Sequence, residues 1–209
     1  YIKLEGEEPV YTVSESFAAA FTRTERGLQQ TENWPVESTD SVTRATLEQG
    51  GNTLTVDVSE DADGNKTYTA SDTARTETPD TAAAQAFISS AATLYFSSSA
   101  DFKPTDEALA AYGLAEPSAT LTVEWTRTDD ASGAQESVTS VLYLGAVDAN
   151  GDYYARLADS NAVSTLNATA LSGVLGMTLD GMLPAEEESA PESAPASESG
   201  SVSAASAAD

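Results

Sequence analysis

The chain has 209 residues, with 9 basic and 34 acidic side chains and a formal net charge of −25. It has no histidine and no cysteine, which excludes disulfides, thiolate nucleophiles, Cys/His zinc sites and a Ser-His-Asp triad. Its few Lys and Arg residues are scattered rather than clustered, so DNA, RNA and anionic lipid are not expected partners.

A chain of this length suits one large domain or two small ones. It starts at Tyr1 with strand-like sequence and no initiator Met, and is expected to be a fragment whose upstream signal or membrane anchor is missing. The longest apolar runs, such as Val141 to Val147, are too short to span a bilayer. Ser41 to Leu47 and Thr53 to Val58 alternate with period two, as half-buried strands do. Asp61 to Asn65 is turn chemistry, and Lys66 to Thr69 returns as the second strand of a hairpin. Pro79 to Ser97 reads as a helix capped by Asp80 or Thr81, with Ala84, Phe87, Ile88, Ala91, Leu94 and Tyr95 on one face. Thr105 starts a second, short helix, and Gly113 stands where a helix ends with positive φ. Ala119 to Thr126 is a strand with Leu121, Val123 and Trp125 on one side. Val138 to Gly145 returns, and Ala149-Asn-Gly-Asp152 turns into a strand over Tyr153 to Leu157. Val163 to Leu166 is a further strand, and Asn167 caps a last helix. Trp34 and Trp125 are assigned to the core. The fold class is therefore α+β: antiparallel hairpins in a sheet, with short helices packed on it.

The N-terminus repeats a later segment. Tyr1-Ile-Lys-Leu4 aligns with Tyr154-Ala-Arg-Leu157, and Val10 to Val13 then aligns with Val163 to Leu166 without a gap. Ser14 meets Asn167, and Phe21 meets Val174. Residues 1–22 are accordingly expected to be the end of a preceding repeat unit, and 23–183 one complete unit. From Pro184 to Asp209 the chain is almost wholly Ala, Ser, Glu and Pro, with six acids and no bases, which predicts a disordered tail.

Two loops suggest calcium. Asp61, Asp63 and Asn65 alternate, with Asp72 eleven residues after the first; Asp148, Asn150 and Asp152 alternate, with Asp159 eleven after the first. An EF-hand loop wants Gly at its sixth position, where these carry Lys66 and Tyr153, and their flanks read as strands. Asp, Asn and Gly are also what hairpin turns select. Tyr153 and Tyr154 are adjacent on a strand, so one points outward and is the candidate contact for a glycan or peptide ligand. No S-x-x-K spacing or carboxylate motif marks an active site, and no cofactor is expected.

Glu107-Ala-Leu-Ala-Ala-Tyr-Gly-Leu-Ala-Glu-Pro117, the strand Ala119 to Val123, the Gly-ended Leu142-Tyr-Leu-Gly145 and the hairpin Gly151-Asp-Tyr-Tyr-Ala-Arg156 together carry a resemblance. They resemble the bacterial family named domain of unknown function 4340, over most of residues 40–180. The chain departs from that pattern after the first hairpin, where Lys66-Thr-Tyr68 replaces a Gly-Gly-Trp segment. The resemblance implies an extracytoplasmic envelope protein, membrane-anchored or a lipoprotein, with some relatives auxiliary to ABC-type transporters. It carries no catalytic residues. The expected function is a non-enzymatic scaffold or protein-interaction module whose partner is an envelope protein such as a transporter permease. The alternative is a calcium- or glycan-binding surface domain.

Overall fold

The structure, a computed structural model, describes residues 1–3, 5–6, 8–21 and 32–184. The expected tail lies outside the described residues apart from Pro184, and so does the junction at 22–31. Strands β1 (Ile2–Lys3) and β2 (Val10–Tyr11) form a small antiparallel sheet of their own, followed by helix α1 (Glu15–Phe21).

The main sheet contains β3 (Val42–Gln49), β4 (Asn52–Glu60), β5 (Lys66–Ser71), β6 (Thr76–Glu77), β7 (Ser98–Asp101), β8 (Ala119–Thr128), β9 (Gln135–Val147), β10 (Tyr153–Leu157) and β11 (Val163–Leu166). Their spatial order is β6-β5-β4-β3-β8-β9-β10-β11-β7, and every pairing is antiparallel. The helices are α2 (Thr81–Ala92), α3 (Asp106–Ala111), α4 (Ala168–Leu171) and α5 (Leu179–Met182). The architecture is thus an antiparallel sheet with a few short helices.

Period-two patterning positions the sheet. In β8, Ala119, Leu121, Val123 and Trp125 are buried, and the residues between them are not. The same alternation buries Ala45 and Leu47 in β3, and Leu54 and Val56 in β4. Gly50 and Gly51, with φ of 59° and 81°, close the two-residue β3–β4 turn, whose conformation a side chain disfavours.

Helix α2 covers the apolar face. The carboxylate of Asp80 accepts the Ala83 amide at 2.9 Å and caps the first turn. Ala84, Phe87, Ile88 and Ala91 then face β3, β5 and β8 at helical spacing. Phe87 and Ile88, almost wholly buried, each contribute about 2–3 kcal/mol by leaving water. Trp34 and Val36 join this core, as do Leu171, Val174, Leu179 and Met182 from the C-terminal helical segment.

The helix is shorter than its sequence suggests. It stops at Ala92, and Tyr95, expected on the buried face, is 61% exposed, although Leu94 is buried. The cause is tertiary. The Ser97 amide donates to the Thr165 carbonyl at 2.7 Å, and Ser98 to Asp101 then pair with β11 as an edge strand. A serine-rich segment has little helix propensity to oppose that pairing.

Candidate functional site

Each core residue of the sheet fixes its neighbours on the opposite face. Opposite Ala45, Leu47, Leu54, Val56, Leu121 and Val123 stand Thr46, Glu48, Thr53, Thr55, Asp57, Thr120, Thr122 and Glu124. The register places them in rows across the strands. One row runs Ser71, Thr55, Thr46, Thr122, Val141 from β5 to β9. The next runs Thr69, Asp57, Arg44, Glu124, Thr139. A third runs Thr53, Glu48, Thr120, Tyr143, Arg156 from β4 to β10. All of these residues are half-buried or exposed, so this face is open over β5, β4, β3, β8 and β9.

Side-chain contacts hold the rows in place. The hydroxyls of Thr46 and Thr55 are hydrogen-bonded at 3.1 Å. Arg44 sits between Asp57, at 2.6 Å, and Glu124, at 3.4 Å. Its guanidinium is held above the usual range, first by the Asp57 hydrogen bond and then by the charges of both acids. The Arg156 guanidinium lies over the Tyr143 ring at 5.3 Å. The face therefore offers neutral hydroxyls, Arg44 paired with two acids, the Glu48 carboxylate and the Tyr143–Arg156 pair.

Among the described residues, only the β10–β11 end of this face is covered. Val163 and Thr165 are buried there, and Tyr112 after α3 stacks on Tyr154 with ring centroids 4.5 Å apart. Gly113, with φ of 71°, turns the chain beneath Gly145. The Ala146 amide donates to the Tyr112 carbonyl at 2.8 Å. A Cβ on Gly145 would stand 2.1 Å from that carbonyl oxygen, so the site admits only glycine without movement. The Tyr-Gly-Leu turn, the Gly-ended strand and the Tyr-Tyr hairpin, far apart in sequence, thus meet at one contact. Of the two tyrosines taken as ligand candidates, Tyr153 packs partly against the main core, and Tyr154 is the one on the second face.

The two Asp/Asn loops are built alike. The Asp61 carboxylate accepts the amides of Asp63 at 2.9 Å and Asn65 at 2.8 Å, and both its oxygens take the Asn65 side-chain amide. Asp148 accepts the amides of Asn150 at 2.8 Å and Asp152 at 2.9 Å, and the Asn150 side chain. The Asn65 amide, for Asp61, and the Asp152 amide, for Asp148, lead the interactions that hold both carboxylates below their usual range. Asp152 in turn accepts the Asn167 side chain at 2.9 Å, tying its turn to the cap of α4. Since β4 and β9 run in opposite directions, the two loops sit at opposite ends of the sheet and cannot form one site. Among the described residues, no group of three or more acids is gathered as a metal would need.

A cleft of about 500 Å³ opens at the end of the sheet that carries the β3–β4 turn. Leu47, Leu54, Met177 and Leu179 contribute apolar lining, and Gln49, Asp72 and Asp180 contribute polar groups. These polar groups serve the backbone and one another: Gln49 accepts the Gly176 amide at 2.8 Å, Asp72 accepts the amides of Ala74 and Arg75, and Arg75 pairs with Asp180. The Ala74 amide, first, and then that of Arg75 keep Asp72 below its usual range, which suits a turn anchor rather than a general acid.

A family model described as domain of unknown function (DUF4340) matches residues 78–180. The chain carries a DUF4340 domain. The match begins at the cap of α2 and ends in α5, so it covers the helix that builds the core, the Tyr112–Gly145–Tyr154 contact and strands β7 to β11. Strands β3 to β6, which complete the DUF4340 sheet here, precede the matched segment. No curated protein and no solved structure matches the chain. No helix among the described residues is long and apolar enough to cross a membrane.

Proposed function

We propose that this DUF4340 chain is a non-enzymatic docking module of the cell envelope, acting outside the cytoplasmic membrane. Its partner is an envelope protein such as a transporter permease. The observation that supports docking is the open second face of the sheet. It spans five strands, carries ordered rows of Thr hydroxyls and leaves its one central cation, Arg44, neutralised by Asp57 and Glu124.

Such a face suits a polar, reversible contact. Interfaces that form and dissolve are about as polar as ordinary surface, and an ordered platform loses little side-chain entropy on docking. The charge balance points the same way: with −25 overall and few free cations, association depends on shape and hydrogen bonding more than on steering by a basic patch.

The test is site-specific photo-crosslinking in the native cell. A photoreactive residue at Thr122, on the open face, is compared with one at Gln85, on the solvent side of α2. The reading expects one discrete adduct from position 122, in the envelope fraction, and none from 85. Equal labelling from both positions, or recovery of the protein in the cytosol, overturns it.

A further inference from the structure

The cleft of about 500 Å³ at the end of the sheet has walls from three places. The β3–β4 turn gives Gln49 and Asn52, the β5–β6 turn gives Asp72 and Thr73, and the segment leading into α5 gives Met177 to Asp180. Long-range contacts fix these walls relative to one another. Gln49 accepts the Gly176 amide at 2.8 Å, and Arg75, beside the second wall, pairs with Asp180 on the third. The cleft is a standing feature of the fold, within the range of about 300–1,000 Å³ that ligand pockets occupy.

Its lining is divided. Leu47, Leu54 and Leu179 are almost wholly buried and form the floor, and half-buried Met177 adds an unbranched side chain that adapts to what it meets. The mouth carries two carboxylates. Asp72 uses one oxygen, Oδ1, for the Ala74 and Arg75 amides, and Asp180 uses Oδ1 for Arg75. Among the described residues, the Oδ2 atom of each takes no hydrogen bond. Arg75 is divided between Asp180 and Glu77, the latter at 4.0 Å, so Asp72, Glu77 and Asp180 together outweigh it. The Gln49 Nε2 amide and the exposed side chain of Asn52 are likewise unpaired among the described residues.

This chemistry selects its ligand. A mouth of that charge repels anions, and none of the described lining residues is aromatic, so a sugar or base has nothing to stack on. Two carboxylates without a third acid do not make a metal site. An ammonium or guanidinium on an alkyl stem matches both parts, with the stem on apolar surface and the head on carboxylate oxygen.

We propose that the cleft binds an extended peptide segment of a partner protein, with a lysine or arginine between apolar residues. The alkyl stem lies along Leu54, Met177 and Leu179, the cationic head reaches the free oxygens of Asp72 and Asp180, and the carboxamides of Gln49 and Asn52 hydrogen-bond the peptide backbone. Of the threonine face only Thr53 borders the cleft. The two surfaces are separate, and peptide binding here does not depend on that face docking anything.

The chain's two methionines report on the cleft directly: Met177 lines it, and Met182 is wholly buried in the core. The test is methyl NMR of the methionine-labelled chain, titrated with acetyl-Leu-Lys-Leu-amide and with the same peptide carrying Glu in place of Lys. Met177→Leu assigns the two signals. The Lys peptide should shift Met177 with a saturating Kd of about 1 mM or tighter and leave Met182 in place, and the Glu peptide should bind at least about 10-fold more weakly. Thr73→Arg, at an exposed turn position, adds a cation at the mouth and should weaken the Lys peptide by about 10-fold, with an unchanged Met182 signal showing that the fold is kept. A Met177 signal that does not move, an equal response to the two peptides, or wild-type affinity in Thr73→Arg overturns the proposal.

Discussion

Gly145 gives the sharpest test of how the DUF4340 motifs work. Its backbone is not in the left-handed region, so Gly145→Ala carries no intrinsic dihedral penalty. The whole cost is steric. The new methyl would stand 2.1 Å from the Tyr112 carbonyl oxygen and 3.1 Å from the Gly113 carbonyl carbon, and backbone atoms in a tight turn cannot swing aside as a long side chain can. Relieving the clash means moving the Tyr112–Leu114 turn by about 1 Å or more, which stretches the 2.8 Å bond from the Ala146 amide and loosens Tyr112 from Tyr154. Overpacking costs about 1–3 kcal/mol and the weakened hydrogen bond about 1 kcal/mol more, for a total of about 2–4 kcal/mol. In a unit of this size that lowers Tm by roughly 5–15 °C. The assay is thermal unfolding followed by circular dichroism, with Val147→Ala, at a half-exposed position on the same strand, as control. A Gly145→Ala protein that melts with the wild type would refute the claim that close backbone approach explains this glycine.

Other outcomes follow from the same geometry. The Trp125 indole donates to Ser140 Oγ at 2.9 Å inside the core, so Ser140→Ala should cost about 1–3 kcal/mol in denaturant unfolding by leaving a buried donor unpaired. Asp61 and Asp148 are held below the ordinary carboxylate value of 3.8, so the stability they add is present above that pH and is lost as pH falls through their lower folded values; carboxyl titration by NMR should give midpoints below 3.8. Because those carboxylates already accept backbone amides, millimolar calcium should shift Tm by no more than about 1 °C, and a rise of many degrees reversed by EDTA would show that their lone pairs are available to a cation.

Much of the sheet was legible because its strands are half-buried. Alternation in Thr53 to Val58 and Ala119 to Thr126 marks both the strand and its core face, and Tyr153 to Leu157 is a strand over the same residues as expected. Caps were legible too, since Asp80, Thr105 and Asn167 each take the amide their position predicts. The edge strands were not. Thr76–Glu77 has two residues and Ser98–Asp101 no large apolar residue, so each owes its conformation to a partner distant in sequence. Gly50-Gly51, a local two-residue hairpin signal, joins β3 to β4.

The open face was hidden for a different reason. Thr46, Thr55 and Thr122 each read as a polar residue between apolar ones, and only the register of β4, β3 and β8 makes them one row. Strand order is a long-range property: β3 and β8 are neighbours although some 70 residues separate them, and local pattern carries no trace of that pairing. The Tyr112, Gly145 and Tyr154 motifs were visible one by one, but their common contact was not.

The claim that matters most is that the threonine face docks a partner. Its most direct test is the affinity of the envelope protein captured through position 122 for three purified forms of the chain: wild type, Thr46→Arg/Thr122→Arg, and Gln85→Arg. Two long charged side chains in the middle of the face should weaken binding by about 10-fold or more, with the fold kept and Tm lowered by only a few degrees, because both positions are half-buried and Thr46 loses its hydrogen bond to Thr55. Gln85→Arg should bind as wild type does. Equal affinity for all three would contradict the account.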